Sequence, residues 1–326
     1  MVEYVKLLKG ALSLMKRKAL AAILLSTLVI SACSSNDDSA SGPVQLKSGE
    51  TIDHMHGITY SNDGTIYIGT HEGMVSSKDQ GKTWNTVSSY DFDFMGFHTL
   101  SNGHMISSGH PGPETDLPNP LGVMKSVDNG ETWESVSLLG KIDFHIMASS
   151  YNNPEIIYAL NQMGEGEYGA GIFKSTDGGV NWEKIEPKGL PEDLHKVYSL
   201  VVLPENEKTL LVGTENGVMR SEDGGNTWVM LDSERFLTAI SVLPNESKDL
   251  ISYSITKEDA AIMVSKDDGA TWEKLGLNLG QDAGNYISVN PKNIDEIMVS
   301  SFNNSVFISK DGGNNWEEVI KSGKIN

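Results

Sequence analysis

The chain has 326 residues, with 25 Lys+Arg against 44 Asp+Glu, a formal net charge of −19. Phosphate binding needs a basic face, so this balance excludes nucleic acid as a partner and favours cations, cationic ligands or neutral polymers. There is one cysteine, Cys33, so no internal disulfide can form.

Chemistry begins at the N-terminus. Lys16, Arg17 and Lys18 precede ALAAILLSTLVISA (19–32), an apolar run too short to span a bilayer comfortably. The run ends in small residues directly before Cys33, the layout of an export signal over residues 1–32. A signal starting at Met15 would be complete, so translation starts at Met1 or Met15. ISAC (30–33) resembles the bacterial lipobox. That resemblance implies a lipidated Cys33, a membrane anchor, and an extracytoplasmic place at the bacterial cell surface or in the periplasm. It also removes the only cysteine from nucleophilic chemistry. Residues 33–50 comprise this cysteine and a small, polar, Gly/Pro-containing stretch that reads as a flexible tether.

Residues 51–326 are repetitive. SKDQGKTW (77–84), SVDNGETW (126–133), STDGGVNW (175–182), SEDGGNTW (221–228), SKDDGATW (265–272) and SKDGGNNW (309–316) share one grammar, S-x-D-x-G-x-[TN]-W. All six tryptophans, Trp84, Trp133, Trp182, Trp228, Trp272 and Trp316, end such an octet. The octet has the chemistry of a hairpin turn. Asp79, Asp128, Asp177, Asp223, Asp267 and Asp311 can accept from backbone N–H groups of their own turn, and the glycine two positions on can take a positive φ. The tryptophan then opens the next strand and buries its ring. These aspartates are therefore read as structural. Short β-rich runs fill each repeat; in the fourth they are VYSLVVL (197–203), TLLVGT (209–214), GVMRS (217–221) and WVMLD (228–232). Six units of four short strands predict an all-β, six-bladed β-propeller.

The octet is identified as the Asp-box, or BNR repeat. Over residues 51–326 the chain resembles sialidases, the sortilin ectodomain, xyloglucanases and photosystem II assembly factors, and also bacterial lipoproteins of glycosyl-hydrolase-like type. The resemblance implies that the box joins the third and fourth strands on the bottom face. The functional face lies opposite, built from the loops entering each innermost strand and those joining strands two and three.

That geometry assigns the histidines. DHMH (53–56) enters the innermost strand of blade one, DFMG (93–96) that of blade two and DFH (143–145) that of blade three. His54, His56, His71, His110, His145 and His195 fall on the top face as ligand-binding candidates, the first five as candidate ligands of a transition metal, Cu or Zn. Residues i and i+2 of a strand share a side, so His54 and His56 can serve one ligand. Asp53, Asp93 and Asp143 precede these positions; they could orient the imidazoles or act as catalytic carboxylates. Met55, Met95 and Met147 lie near the same face, although methionine commonly packs. His98 has the strand parity to point into its blade, and His104 follows a bottom turn. Strand-entry histidines often only bond neighbouring loops. Yet THEG (70–73) of blade one is TENG (214–217) in blade four, so the repeat itself does not demand them.

Sialidases hold the substrate carboxylate with three arginines. This chain has only Arg17, Arg220 and Arg235, one of them in the signal, which excludes sialidase chemistry. A neutral-sugar hydrolase needs two suitably separated carboxylates, for which Asp53, Glu72, Asp91, Asp93, Asp143, Glu165 and Glu167 are available. No P-loop, dinucleotide glycine motif, nucleophile elbow or HExxH is present. The leading reading is a monomeric, lipid-anchored propeller that binds a small ligand or metal on its top face without being an enzyme. Glycoside hydrolysis of a neutral polysaccharide is the alternative, and docking of an envelope protein a third reading.

Overall fold

The computed structural model describes residues 43–52, 54–87, 91–113 and 115–326. The expected export signal, Cys33 and Asp53 lie outside the described residues. Six antiparallel sheets, each built from consecutive strands, form a six-bladed β-propeller. Blade one is β1 (Met55–Tyr60), β2 (Ile66–Thr70), β3 (Gly73–Ser77) and β4 (Asn85–Thr86). Blade two is β5 (Asp93–Thr99), β6 (Met105–His110), β7 (Val123–Ser126) and β8 (Glu134–Ser137). Blade three is β9 (Ile146–Ser149), β10 (Ile157–Asn161), β11 (Gly171–Ser175) and β12 (Glu183–Ile185). Blade four is β13 (Val197–Val202), β14 (Leu210–Thr214), β15 (Gly217–Ser221) and β16 (Val229–Asp232). Blade five is β17 (Phe236–Val242), β18 (Leu250–Ile255), β19 (Ala260–Ser265) and β20 (Glu273–Gly276). Blade six is β21 (Gly284–Val289), β22 (Ile297–Ser301), β23 (Val306–Ser309) and β24 (Glu317–Lys321), with β25 (Lys324–Ile325) as a fifth strand.

The innermost strands pack in a ring: β1 on β5, β5 on β9, β9 on β13, β13 on β17, β17 on β21 and β21 on β1. They line a central channel. The core lies between blades rather than within them. Trp84 of blade one packs with Met298, Val306 and Ile308 of blade six, and Trp133 of blade two packs with Tyr67 and Met74 of blade one.

The octets form the turns that their composition predicts. In blade one, Ser77 Oγ donates to Asp79 Oδ1 at 2.9 Å and accepts from Gly81 N at 2.8 Å. Thr83 donates to the same carboxylate through its backbone N (2.8 Å) and hydroxyl (2.7 Å). The other five boxes repeat this pattern. The residue after each aspartate and the glycine that follows it both have positive φ, as at Gln80 (61°) and Gly81 (82°). This explains why Gln, Asn, Gly or Asp, and no β-branched residue, stands there. Five of the indoles donate to the box glycine's carbonyl. Trp133 Nε1 is buried without a partner.

The expected tether does not extend to residue 50, because residues 44–46 and 49–50 bond to the propeller. Leu46 N donates to Trp84 O and Thr86 N to Val44 O, so residues 44–46 add to the outer edge of blade one. Residues 49–52 then bond to blade six, with Ile52 N donating to Gly323 O and Ile325 N to Glu50 O. Polar composition hid this, because an added edge strand is held by main-chain bonds that any sequence supplies.

Candidate functional site

The site begins with a bulge. Across the β1–β2 ladder Met55 faces Thr70 and Gly57 faces Gly69, so His56 is the extra residue. A bulge re-aims a side chain, here onto the rim of the channel. In register, the same rim position is Met95 in blade two, His145 in blade three, Tyr198 in blade four, Thr238 in blade five and Asn285 in blade six. Gly57 lets β1 approach β5 closely: a Cβ there would lie 2.4 Å from the Phe97 carbonyl oxygen. Gly96 does the same one blade on, where a Cβ would lie 2.7 Å from the Phe144 carbonyl oxygen.

Close approach joins residues of different blades. His56 Nε2 lies 3.3 Å from His71 Nδ1 and 3.4 Å from Asp93 Oδ1, and His71 Nδ1 lies 3.1 Å from Asp93 Oδ2. One ligand atom from each of the three lies within 4.8 Å of the others. His71 is free to serve there because its turn is closed by others. Thr70 Oγ1 donates to Gly73 O at 2.8 Å, and Glu72 N donates to Thr70 Oγ1 at 3.1 Å. His54, at φ 50°, places its ring 5.6 Å from that of His71.

A second group adjoins the first. His110 stands opposite Asp93 across the β5–β6 ladder. Its Nδ1 pairs with Asn119 Oδ1 at 2.6 Å, and its Nε2 lies 3.3 Å from Asp143 Oδ2. His145 Nε2 lies 2.7 Å from the same oxygen. The side chains of Asp93 and Asp143 are only 9% and 8% exposed. Each nevertheless keeps a buried Oδ1 without a hydrogen-bond partner.

Burial, reinforced by neighbouring imidazoles led by His71, pushes His56 down to about 4, so it is neutral at neutral pH and its lone pair is available. Burial raises Asp93, opposed by His71 and His110. The bond to Asp143 raises His145 above the usual imidazole value.

Of the expected top-face residues, the structure brings together His54, His56, His71, His110 and His145. His195 stands apart in a 3₁₀ turn (Leu194–Lys196), paired with Asp193 at 3.0 Å. Asp93 and Asp143 do more than orient rings from behind: each lies between two imidazoles. Met55 is buried in the core beside Ile58 and Ile68. His98 lines the channel instead of entering its blade, because the register shift between Met95 and His98 reverses strand parity. Its Nε2 lies 3.2 Å from Ser149 Oγ, and burial holds it at about 4. Glu72, Glu165 and Glu167 are exposed. Asn119 was not singled out by sequence; it lies nine residues from its partner His110 in an irregular loop, and nothing local marks it.

Fold and turns together define a six-bladed Asp-box propeller. A family model described as Sortilin-Vps10 (sortilin, neurotensin receptor 3) matches residues 216–324. That match covers about a third of the chain and is a likeness to that family. It is 30% identical over 141 residues to xyloglucanase Xgh74A of Acetivibrio thermocellus, a match over 34% of this chain and 16% of that protein. Among solved structures, the GH74 enzyme of Niastella koreensis matches with a TM-score of 0.54 at 17% identity, covering 84% of this chain and 46% of the other. A gluconolactonase from Xanthomonas campestris matches with a TM-score of 0.55 at 11% identity, covering 78% and 86%. The structural likenesses carry the fold alone, and this chain spans under half the length of the GH74 enzyme.

Proposed function

We propose that the protein is a lipid-anchored, extracytoplasmic propeller whose top face binds a transition metal ion, zinc or copper, through His56, His71 and Asp93. One observation carries this reading: three donor atoms from two blades converge, and the buried Asp93 Oδ1 lacks a hydrogen-bond partner. Donors about 2.1 Å from a tetrahedral ion lie about 3.4 Å from one another. His56 Nε2 and His71 Nδ1 are 3.3 Å apart, and the Asp93 carboxylate lies 3.4 Å from the first through Oδ1 and 3.1 Å from the second through Oδ2. Two imidazoles and a carboxylate suit Zn(II) or Cu(II), and a fourth position stays open for water or a ligand. Anchoring rests on ISAC (30–33) at Cys33. The test is elemental analysis and zinc titration of tag-free protein. At least one equivalent is expected, reduced by one in the His56→Ala/His71→Ala double variant. Wild-type protein that takes up no stoichiometric metal overturns the reading.

A second reading, hydrolysis of a neutral polysaccharide, is favoured by the identity shared with the xyloglucanase. Asp93 and Asp143 are the carboxylates to assign. Xyloglucan turnover that disappears in Asp93→Asn or Asp143→Asn would support it, and no turnover by wild-type protein would dismiss it.

A further inference from the structure

We infer that Ser149 and His98, which meet between blades two and three, form a nucleophile–base pair that cleaves small uncharged esters inside the central channel. The inference stands apart from the metal reading and uses none of its ligands. His98 Nε2 lies 3.2 Å from Ser149 Oγ, and His98 Nδ1 lies 3.3 Å from Gly96 O. A carbonyl can only accept, so Nδ1 carries the imidazole proton and Nε2 accepts from the serine hydroxyl. A serine, a base and a third group that fixes the base's tautomer are the parts of an activated nucleophile. Burial holds His98 at about 4, so its Nε2 lone pair is free at neutral pH. Both side chains line the channel, whose volume is about 270 Å³. Among the described residues no Asp, Glu, Lys or Arg lines it, although the chain carries a net charge of −19, so the substrate is small and uncharged.

The repeat requires neither residue. Ser149 faces Ile157, which in turn faces the box residue Ser175. At the same register the other blades carry Tyr60, Thr99, Val202, Val242 and Val289. In place of His98 they carry Thr59, Ala148, Val201, Ser241 and Ser288. Two other interfaces are joined at this level through the main chain: Thr99 N donates to Thr59 Oγ1 and Tyr60 N to Ser288 Oγ, each at 3.2 Å. Ser150 N donates to Ile156 O, so the Ser149 N–H points away from β10, as its counterparts point from their own second strands. There it can hold the oxyanion of an attacked ester. Ser149 Oγ bonds to the carbonyl carbon as His98 Nε2 takes the hydroxyl proton. The bond to the alkoxide breaks, Nε2 returns the proton to it, and an alcohol departs. Water then attacks the acyl-serine and gives its proton to Nε2. Ser149 Oγ leaves, takes that proton back, and a carboxylic acid is released.

The experiment treats full-length protein with diisopropyl fluorophosphate and locates the adduct by mass spectrometry. Hydrolysis of p-nitrophenyl acetate is followed in parallel, with EDTA present to exclude turnover by a bound metal. Wild type should carry the adduct on Ser149 and lose hydrolysis as it forms. Ser149→Ala and His98→Gln should each lower kcat by about 10²–10⁴-fold. Ser241→Ala, on the channel wall of blade five, should keep both labelling and rate. A melting scan establishes that each variant is folded, and the wild-type adduct does not depend on them. A bond that merely links two blades would leave Ser149 unlabelled. Wild type unlabelled at Ser149, or a Ser149→Ala protein that hydrolyses the ester as fast as wild type, overturns the inference.

Discussion

Blades one to three and blades four to six are built on one grammar, yet among the described residues only the first three blades gather a cluster of histidines and aspartates. The comparison is sharpest at the turn between the second and third strands. In blade four Thr214 Oγ1 donates to Gly217 O at 2.9 Å and Asn216 N to Thr214 Oγ1 at 3.2 Å, the same two bonds as in THEG of blade one. Where blade one has His71, blade four has Glu215, ion-paired with Lys196. Folding therefore requires the threonine and glycine but not the histidine. The innermost strands differ in the same way. The position after the rim residue is Gly57 and Gly96 in blades one and two, and Ile146, Ser199, Ala239 and Tyr286 in the rest. Glycine there lets neighbouring strands approach closely enough to pass side chains between blades.

The largest effect expected from breaking this difference is at Gly57. Gly57→Ala forces a Cβ onto the Phe97 carbonyl, should cost about 1–3 kcal/mol, and should lower metal uptake because His56 moves from Asp93. Chemical denaturation of this variant against Ala239→Gly, its counterpart in blade five, reads the contrast. Equal metal binding in wild type and Gly57→Ala would break the link between close approach and the site.

The boxes should show no such contrast. Ser77→Ala and Ser221→Ala each remove the hydroxyl that bridges the box aspartate and glycine, and each should cost about 1–3 kcal/mol, the same in blades one and four. Acid should weaken both halves alike. The Thr227 hydroxyl and its backbone N–H hold Asp223 down at about 2. A carboxylate depressed on folding contributes stability above its unfolded value, near 4, that is lost as pH falls through the folded value. Melting temperature should therefore fall between about pH 4 and pH 2, and less so in a variant carrying Asp223→Asn.

The smallest change in stability is expected from exchanging the turns. His71→Glu should alter stability by under about 0.5 kcal/mol, since the turn bonds persist, yet remove one equivalent of zinc. Glu215→His should be equally mild and add none. An additional equivalent of zinc in the Glu215→His protein would show that a rim histidine alone suffices.

Much of the molecule was legible in its sequence, and the reason is local. Six octets dictate six turns, because Ser, Asp, Gly and Trp of one octet bond chiefly to one another within eight residues. Blade count, strand count and the structural role of Asp79 and its counterparts follow from that. Five of the six expected top-face histidines, all but His195, were legible as neighbours, because strand direction puts every entry loop on one side. Their partners were not. Asp93 meets His56 and His71 from the next blade, Asp143 meets His110 in the same way, and His98 turned to the channel through a register shift. These outcomes depend on how closely two innermost strands pack and where a ladder takes an extra residue. Both are settled by interblade contacts around Gly57, Phe97 and Gly96, far apart in sequence from the residues they bring together. Turn chemistry alone thus specified the propeller, while packing between blades decided which of its polar residues share a site.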